Sequence, residues 1–135
     1  MKNLFLLLAI TGCFVVFSCK DKESERFRLL TDPVWRTDSL VANGVDASGA
    51  GGILEDFVGD VKFAKDGTGN FGDYEGTWMF NIGETQLIIE SDSLPITVIA
   101  DIIELTSASL KLKTKFPNPL DLLNPINIRM TFKPK

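Results

Sequence analysis

The chain has 135 residues, carries 18 Asp+Glu against 14 Lys+Arg for a formal net charge of -4, and contains no histidine. Its length suits one domain with an ordinary core, and its acidic balance argues against nucleic acid as a partner, because phosphate binding draws on clustered Lys and Arg. Without histidine there is no usual general base and no commonest transition-metal ligand, so Ser-His-Asp, Cys-His and zinc-cluster chemistry are excluded; no GxxxxGK[ST] phosphate loop occurs either.

Met1-Lys2-Asn3 supplies a short basic start, and the residues from Leu4 to Ser18 carry no charge, which is the layout of an export signal. The run is shorter than the roughly 20 apolar residues of a membrane-spanning helix and ends on a small residue, so cleavage is favoured over a retained span. Cys13 and Cys19 are the two cysteines of the chain. Cutting before Cys19 removes Cys13, and no intrachain disulfide is then available. The Val16-Phe17-Ser18-Cys19 stretch resembles the lipobox of bacterial lipoproteins. That resemblance implies a signal peptide over 1–18, lipidation of the Cys19 thiol and attachment to a membrane, where several acyl chains on one residue hold firmly at about 0.8 kcal/mol per buried CH₂.

Lys20-Asp21-Lys22-Glu23-Ser24-Glu25-Arg26 is charged and lacks apolar periodicity, and the segment 19–29 is expected to be a solvated tether. A lysine followed by acidic residues after the lipid cysteine is similar to the surface-export signal of Bacteroidetes lipoproteins. It implies the bacterial outer membrane, with the cell surface favoured over the periplasmic side.

From residue 30 to 135 the apolar residues recur with a period of two, which predicts half-buried strands. A first strand is expected over VWRTDSLV, Val34 to Val41, followed by a glycine-rich stretch with a turn of helix around Ile53 to Phe57. Val61 and Phe63 share one face of DVKFAKDG, and Asp66-Gly67 marks a hairpin turn. Trp78, Phe80 and Ile82 alternate in GTWMFNI, and Leu87 and Ile89 in TQLIIES. The segment from Pro95 to Leu105 is more continuously apolar, and its β-branched content predicts a strand. Leu110, Leu112, Thr114 and Phe116 alternate with Lys111, Lys113 and Lys115. Ile126, Ile128, Met130 and Phe132 then repeat the pattern against Asn127, Arg129, Thr131 and Lys133, one face buried and one wet.

Short connections at Gly83-Glu84 and at Leu105 to Ser109 predict an all-β, up-and-down antiparallel meander of about seven to eight strands. Closure into a barrel removes the edges; a β-sandwich is the alternative, but needs longer crossovers. Two connections are long, Val41 to Asp60 and Pro117 to Pro125, the second with a turn of helix around Leu120 to Leu123.

Trp35 in the first strand, FAKDGTGNF from Phe63, YEGTWMF from Tyr74, TQLIIE from Thr85 and IIELTSASLKLK from Ile102 follow an order similar to the lipocalin-like domains of Bacteroidetes lipoproteins. Pro33 stands where classical lipocalins have a glycine two residues before that tryptophan. The resemblance implies a small calycin-type barrel from about Leu30 to Lys133.

The candidate ligand-binding residues are the inward ones: Phe63, Trp78, Phe80, Leu87, Ile89, Leu112, Ile128 and Met130. They form either a filled core or the walls of an apolar cavity, with Trp35 as a plug at one end. Asp66, Asn70, Asp73 and Glu75 supply hard oxygens for calcium, but Phe71 and Thr77 occupy the EF-hand positions that need glycine and a bidentate acid, so a plain hairpin is preferred. Glu90 and Glu104 are the carboxylates one would pair for glycoside hydrolysis, and nothing in the sequence makes them converge. The expectation is a non-enzymatic domain without metal or cofactor. It either binds a small apolar or amphipathic ligand, at an end gated by the Gly49 to Gly52 loop and the Pro117 to Pro125 segment, or docks another envelope protein with a plugged barrel.

Overall fold

The computed structural model describes residues 23–135; the expected cleavage site, Cys13 and Cys19 lie outside the described residues. A short helix, α1 (Glu25–Thr31), precedes nine strands: β1 (Trp35–Ala42), β2 (Val45–Asp46), β3 (Asp60–Phe63), β4 (Thr68–Phe71), β5 (Tyr74–Phe80), β6 (Gln86–Glu90), β7 (Val98–Leu105), β8 (Leu110–Phe116) and β9 (Ile126–Pro134). Each strand from β3 to β9 pairs antiparallel with the next, and β9 returns to β1 over most of its length. This closes an eight-stranded meander, with β2 as one extra strand hairpinned onto β1. Closure rules out the sandwich.

The barrel is least tightly knit between β1 and β3, where only Trp35↔Val61 and Arg36↔Asp60 are paired. Side chains reinforce that seam. The Thr37 hydroxyl donates toward the Phe57 and Gly59 carbonyls, while Asp60 accepts from Arg36 at 3.2 Å and from Lys135 at 2.7 Å.

The period-two residues of β8 and β9 face where alternation places them, with Leu110, Leu112, Thr114, Ile128, Met130 and Phe132 buried. The Asp66-Gly67 turn also forms, Gly67 taking a φ of 90° and Asp66 accepting from the Thr68 backbone N–H at 2.9 Å.

Four expectations change. Ile82 is fully exposed, because β5 ends at Phe80 and Ile82 sits in the following turn. The segment read as one strand from Pro95 becomes extended only at Val98. Alternation from Val98 leaves Ile103 outward, and a register shift between Ile102 and Glu104 then brings Leu105 inside although it is two residues further on, the ordinary effect of a bulge. Leu120 to Leu123 form consecutive turns in place of a helical turn.

The fourth change is that the expected tether is structured from Ser24 onward. Ser24 accepts the Phe27 N–H and caps α1, satisfying a donor that a helix start leaves free. Leu30 is completely buried, and the Trp35 indole donates to its carbonyl at 3.0 Å. At the other terminus of the helix the Lys62 ammonium donates to the carbonyls of Thr31, Asp32 and Pro33, a favourable place for a cation because the helix dipole is negative there. Helix α1 thus stoppers the barrel end that also holds the β3–β4, β5–β6 and β7–β8 turns.

Candidate functional site: an apolar cavity at the open end

The two ends of the barrel are filled differently. At the stoppered end Trp78 packs against Phe27 of α1 at 5.7 Å between centroids, against Phe80 at 5.5 Å and against Phe63 at 5.6 Å, while its indole N–H donates to the Ala64 carbonyl at 2.9 Å. The Phe80 and Phe63 contacts are edge-on, an arrangement that fills space and adds electrostatic attraction between rings. Together with Trp35 and Leu30 it leaves that half solid.

Above Phe63 the interior is hollow. A cavity of about 240 Å³ runs toward the opposite end, its floor formed by Phe63 and Phe71 and its walls by Ile89, Leu112, Ile128 and Met130. Its mouth is bounded by Ile53, Leu54 and Phe57 on one side and by Pro117 and Pro119 on the other, with Leu94 from the β6–β7 loop between them. The physical origin is side-chain bulk. The walls here are mostly aliphatic residues, whose volume does not reach across a barrel of this size, whereas the stoppered end has its tryptophans and a helix.

Thr114 is the sole polar side chain of the lining, and its hydroxyl donates to the Ile99 carbonyl at 2.7 Å. Every other lining residue is apolar. A small cavity of this character does not hold water well, because a buried water needs two to four polar partners.

The segment from Ala47 to Val58 lies across the mouth and is fastened to the β4–β5 turn. Asp73 donates its N–H to the Asp56 carbonyl at 2.9 Å, the Tyr74 hydroxyl meets the Asp56 carboxylate at 3.2 Å, and Phe57 stacks on Tyr74 at 4.7 Å. Gly72 makes this approach feasible: its φ is 63°, and a Cβ there would run into the Asp56 carbonyl. Contact with Asp56 and burial both hold the Tyr74 phenol above its usual range, burial contributing more.

Of the eight residues singled out from alternation, Phe63, Ile89, Leu112, Ile128 and Met130 come together around the cavity. Trp78 and Phe80 belong to the aromatic plug, and Leu87, fully buried, also lies outside the cavity lining. The mouth residues Ile53, Leu54, Phe57, Leu94 and Phe116 were not singled out. All but Phe116, which ends the alternating run of β8, sit in irregular loops where no period marks which way a side chain faces.

The acidic candidates separate. Asp66 lies at the β3–β4 turn and Asp73 at the β4–β5 turn, opposite ends of the barrel, while Asn70 and Glu75 are cross-strand partners between them. Among the described residues no group of three His, Cys, Asp or Glu is arranged to hold a metal. Glu90 ends β6 at the open end, whereas Glu104 lies near the stoppered end, 3.2 Å from Lys111. The Ser109 hydroxyl and Lys111 hold the Glu104 carboxyl below its ordinary range, the reverse of what a proton-donating acid requires.

The closed antiparallel meander is consistent with a lipocalin-like fold. No known family matches the chain, and no curated protein matches it in sequence.

Proposed function

We propose that this protein is a cell-envelope lipoprotein, anchored through Cys19, whose barrel binds a small apolar or amphipathic molecule at its open end. The observation that carries the reading is the cavity of about 240 Å³, lined by apolar side chains and reached between the Ile53–Phe57 and Pro117–Pro119 segments. Pockets for drug-sized ligands run to roughly 300–1,000 Å³. The occupant is therefore smaller, such as a single acyl chain or a small ring system, with any polar group left at the mouth. Anchoring and outer-membrane location rest on the apolar run to Ser18, the Val16–Cys19 stretch and the charged residues after it. The motif order from Trp35 to Lys113 and the closed barrel both support placement with the lipocalin-like lipoproteins of Bacteroidetes. The reading includes no catalytic step and no cofactor.

The test is native mass spectrometry of the protein taken from its own envelope. A small apolar molecule that remains bound in the folded state and leaves on unfolding supports the reading. Consistently empty protein favours the second reading, an interaction module. That alternative has its own observation: Met79, Ile88 and Ile99 are cross-strand neighbours on the outer face of β5, β6 and β7, with Met79 and Ile99 more than half exposed. An apolar stripe of that kind suits a protein partner.

A further inference from the structure

The β8–β9 loop carries Leu120, Leu122 and Leu123 at 95%, 80% and 91% exposure, and Ile53 on the other side of the cavity mouth is 59% exposed. Three leucines at one tip form an apolar patch that the described residues leave uncovered. The tip is also built. Asn118 accepts from the Leu120 N–H at 3.0 Å, and Asp121 accepts from the Leu123 N–H at 3.2 Å and from the Asn124 amide at 2.6 Å. The Asp121 and Asn124 N–H groups donate to the carbonyls of Asn118 and Asp121. Much of the loop's hydrogen bonding is thus satisfied within the loop, as a segment leaving water requires.

Behind this loop the outer face of β8 and β9 is basic, while the exposed acids of the same end, Glu55, Asp56, Asp73, Glu90 and Asp92, lie on other segments around the mouth. Counting outward-facing rungs from the loop, the first is Lys115 opposite Asn127, the second Lys113 opposite Arg129, and the third Lys111 opposite Thr131. Lys111 is paired with Glu104, and Lys133 further down with Asp38. Lys113, Lys115 and Arg129 have no acidic partner within ion-pair distance among the described residues. Asp101, opposite Lys113 in register, accepts from Gln86 at 2.7 Å, and Asp121 in the loop faces Asn124. In a chain of net charge -4, three cations without an acidic partner among the described residues lie behind three exposed leucines.

We infer that the open end docks on an anionic phospholipid surface: Leu120, Leu122 and Leu123 enter the acyl layer, and Lys113, Lys115 and Arg129 meet the headgroup phosphates. Apolar side chains at the interface backed by basic ones are the combination that gives reversible attachment to such surfaces. Pro117 and Pro119 belong both to this loop and to the cavity mouth, so docking opens the cavity into the hydrocarbon and lets an apolar ligand cross without entering water. The inference rests on the ligand-binding reading for that consequence, but not for the docking. Glu23 is tied to Lys65 at the stoppered end, opposite the leucines. A protein anchored at Cys19 therefore presents its mouth away from the anchoring leaflet, so docking on a second lipid surface goes with the periplasmic side and not with the cell surface.

The test uses the full chain with Cys13→Ser and Cys19→Ser, labelled with an environment-sensitive nitrobenzoxadiazole group at Leu122→Cys. A second labelled chain carries the group at Ile82→Cys, an exposed position in the β5–β6 turn at the stoppered end. With vesicles of phosphatidylcholine and phosphatidylglycerol, the Leu122 label shifts to shorter wavelength and brightens while the Ile82 label does not. Adding Lys113→Gln, Lys115→Gln and Arg129→Gln weakens the response by roughly a hundredfold, and high salt weakens it similarly. No response at Leu122, or an equal response at both labels, overturns the inference and leaves the leucines to a protein partner. Ile128→Phe, which fills the cavity, abolishes binding of an apolar probe but leaves the Leu122 response, so failure of docking and failure of ligand binding are separately visible.

Discussion

The Thr114 hydroxyl lies 2.7 Å from the Ile99 carbonyl, donating across the β7–β8 pair and away from the cavity that Thr114 lines. The one polar side chain in the lining therefore has no hydrogen free for a ligand. Replacing it with valine removes a bond worth about 1 kcal/mol to the fold but no ligand contact. Thr114→Val should melt slightly lower and bind an apolar probe as well as the parent does; a tenfold loss of affinity would show that the hydroxyl serves the ligand.

The stoppered end should behave as core. Leu30→Ala is expected to cost about 2–5 kcal/mol in denaturant unfolding, since a completely buried leucine leaves a cavity among Trp35 and its neighbours. Phe80→Ala should likewise destabilise without changing probe affinity, because Phe80 packs on Trp78 outside the lining. Altered affinity with unchanged stability would move Phe80 into the binding site.

That last outcome marks where sequence reading reached and where it stopped. Period-two alternation separates inward from outward residues, and for β8 and β9 it does so residue by residue. It carries no information about depth along the barrel axis, so Trp78 and Ile128 look alike although one fills the stoppered end and the other walls the hollow one. Helix α1 escaped notice because Glu25, Arg26 and Arg28 dominate a seven-residue segment. The available signal was Ser24 as a capping residue followed by Phe27 and Leu30 at helical spacing. The bulge in β7 has no mark of its own in an apolar run, and the mouth loops have no period to read.

Asp60 joins β3 to Arg36 of β1 and to Lys135 across the weakest seam of the barrel, and the contacts to Lys135 and then Arg36 hold its carboxyl below the ordinary 3.8. A carboxyl whose value is lowered by folding stabilises the folded state at neutral pH and ceases to do so as pH falls through the lowered value. Asp60→Asn should therefore lower the melting temperature at pH 7, with the difference from the parent shrinking only below about pH 3.8. A difference that persists unchanged at pH 2, or that grows on acidification, would contradict the role assigned to the seam.

The proposed anchor at Cys19 is tested separately from the barrel. In cells fed labelled palmitate, the parent chain should incorporate label and fractionate with membranes, whereas Cys19→Ala should incorporate none. Label retained by Cys19→Ala would place the acyl group elsewhere.

The claim that the open end is a ligand site is tested most directly by titrating the full chain with N-phenyl-1-naphthylamine, reading energy transfer from its two tryptophans, Trp35 and Trp78, the second of which contacts the cavity floor through Phe63 at 5.6 Å. The account predicts saturable binding at one probe per chain, lost in Ile128→Phe and in Leu112→Phe while both variants still unfold cooperatively, and kept in Glu75→Gln. Binding that does not saturate, or that survives both cavity-filling substitutions in folded protein, would contradict it.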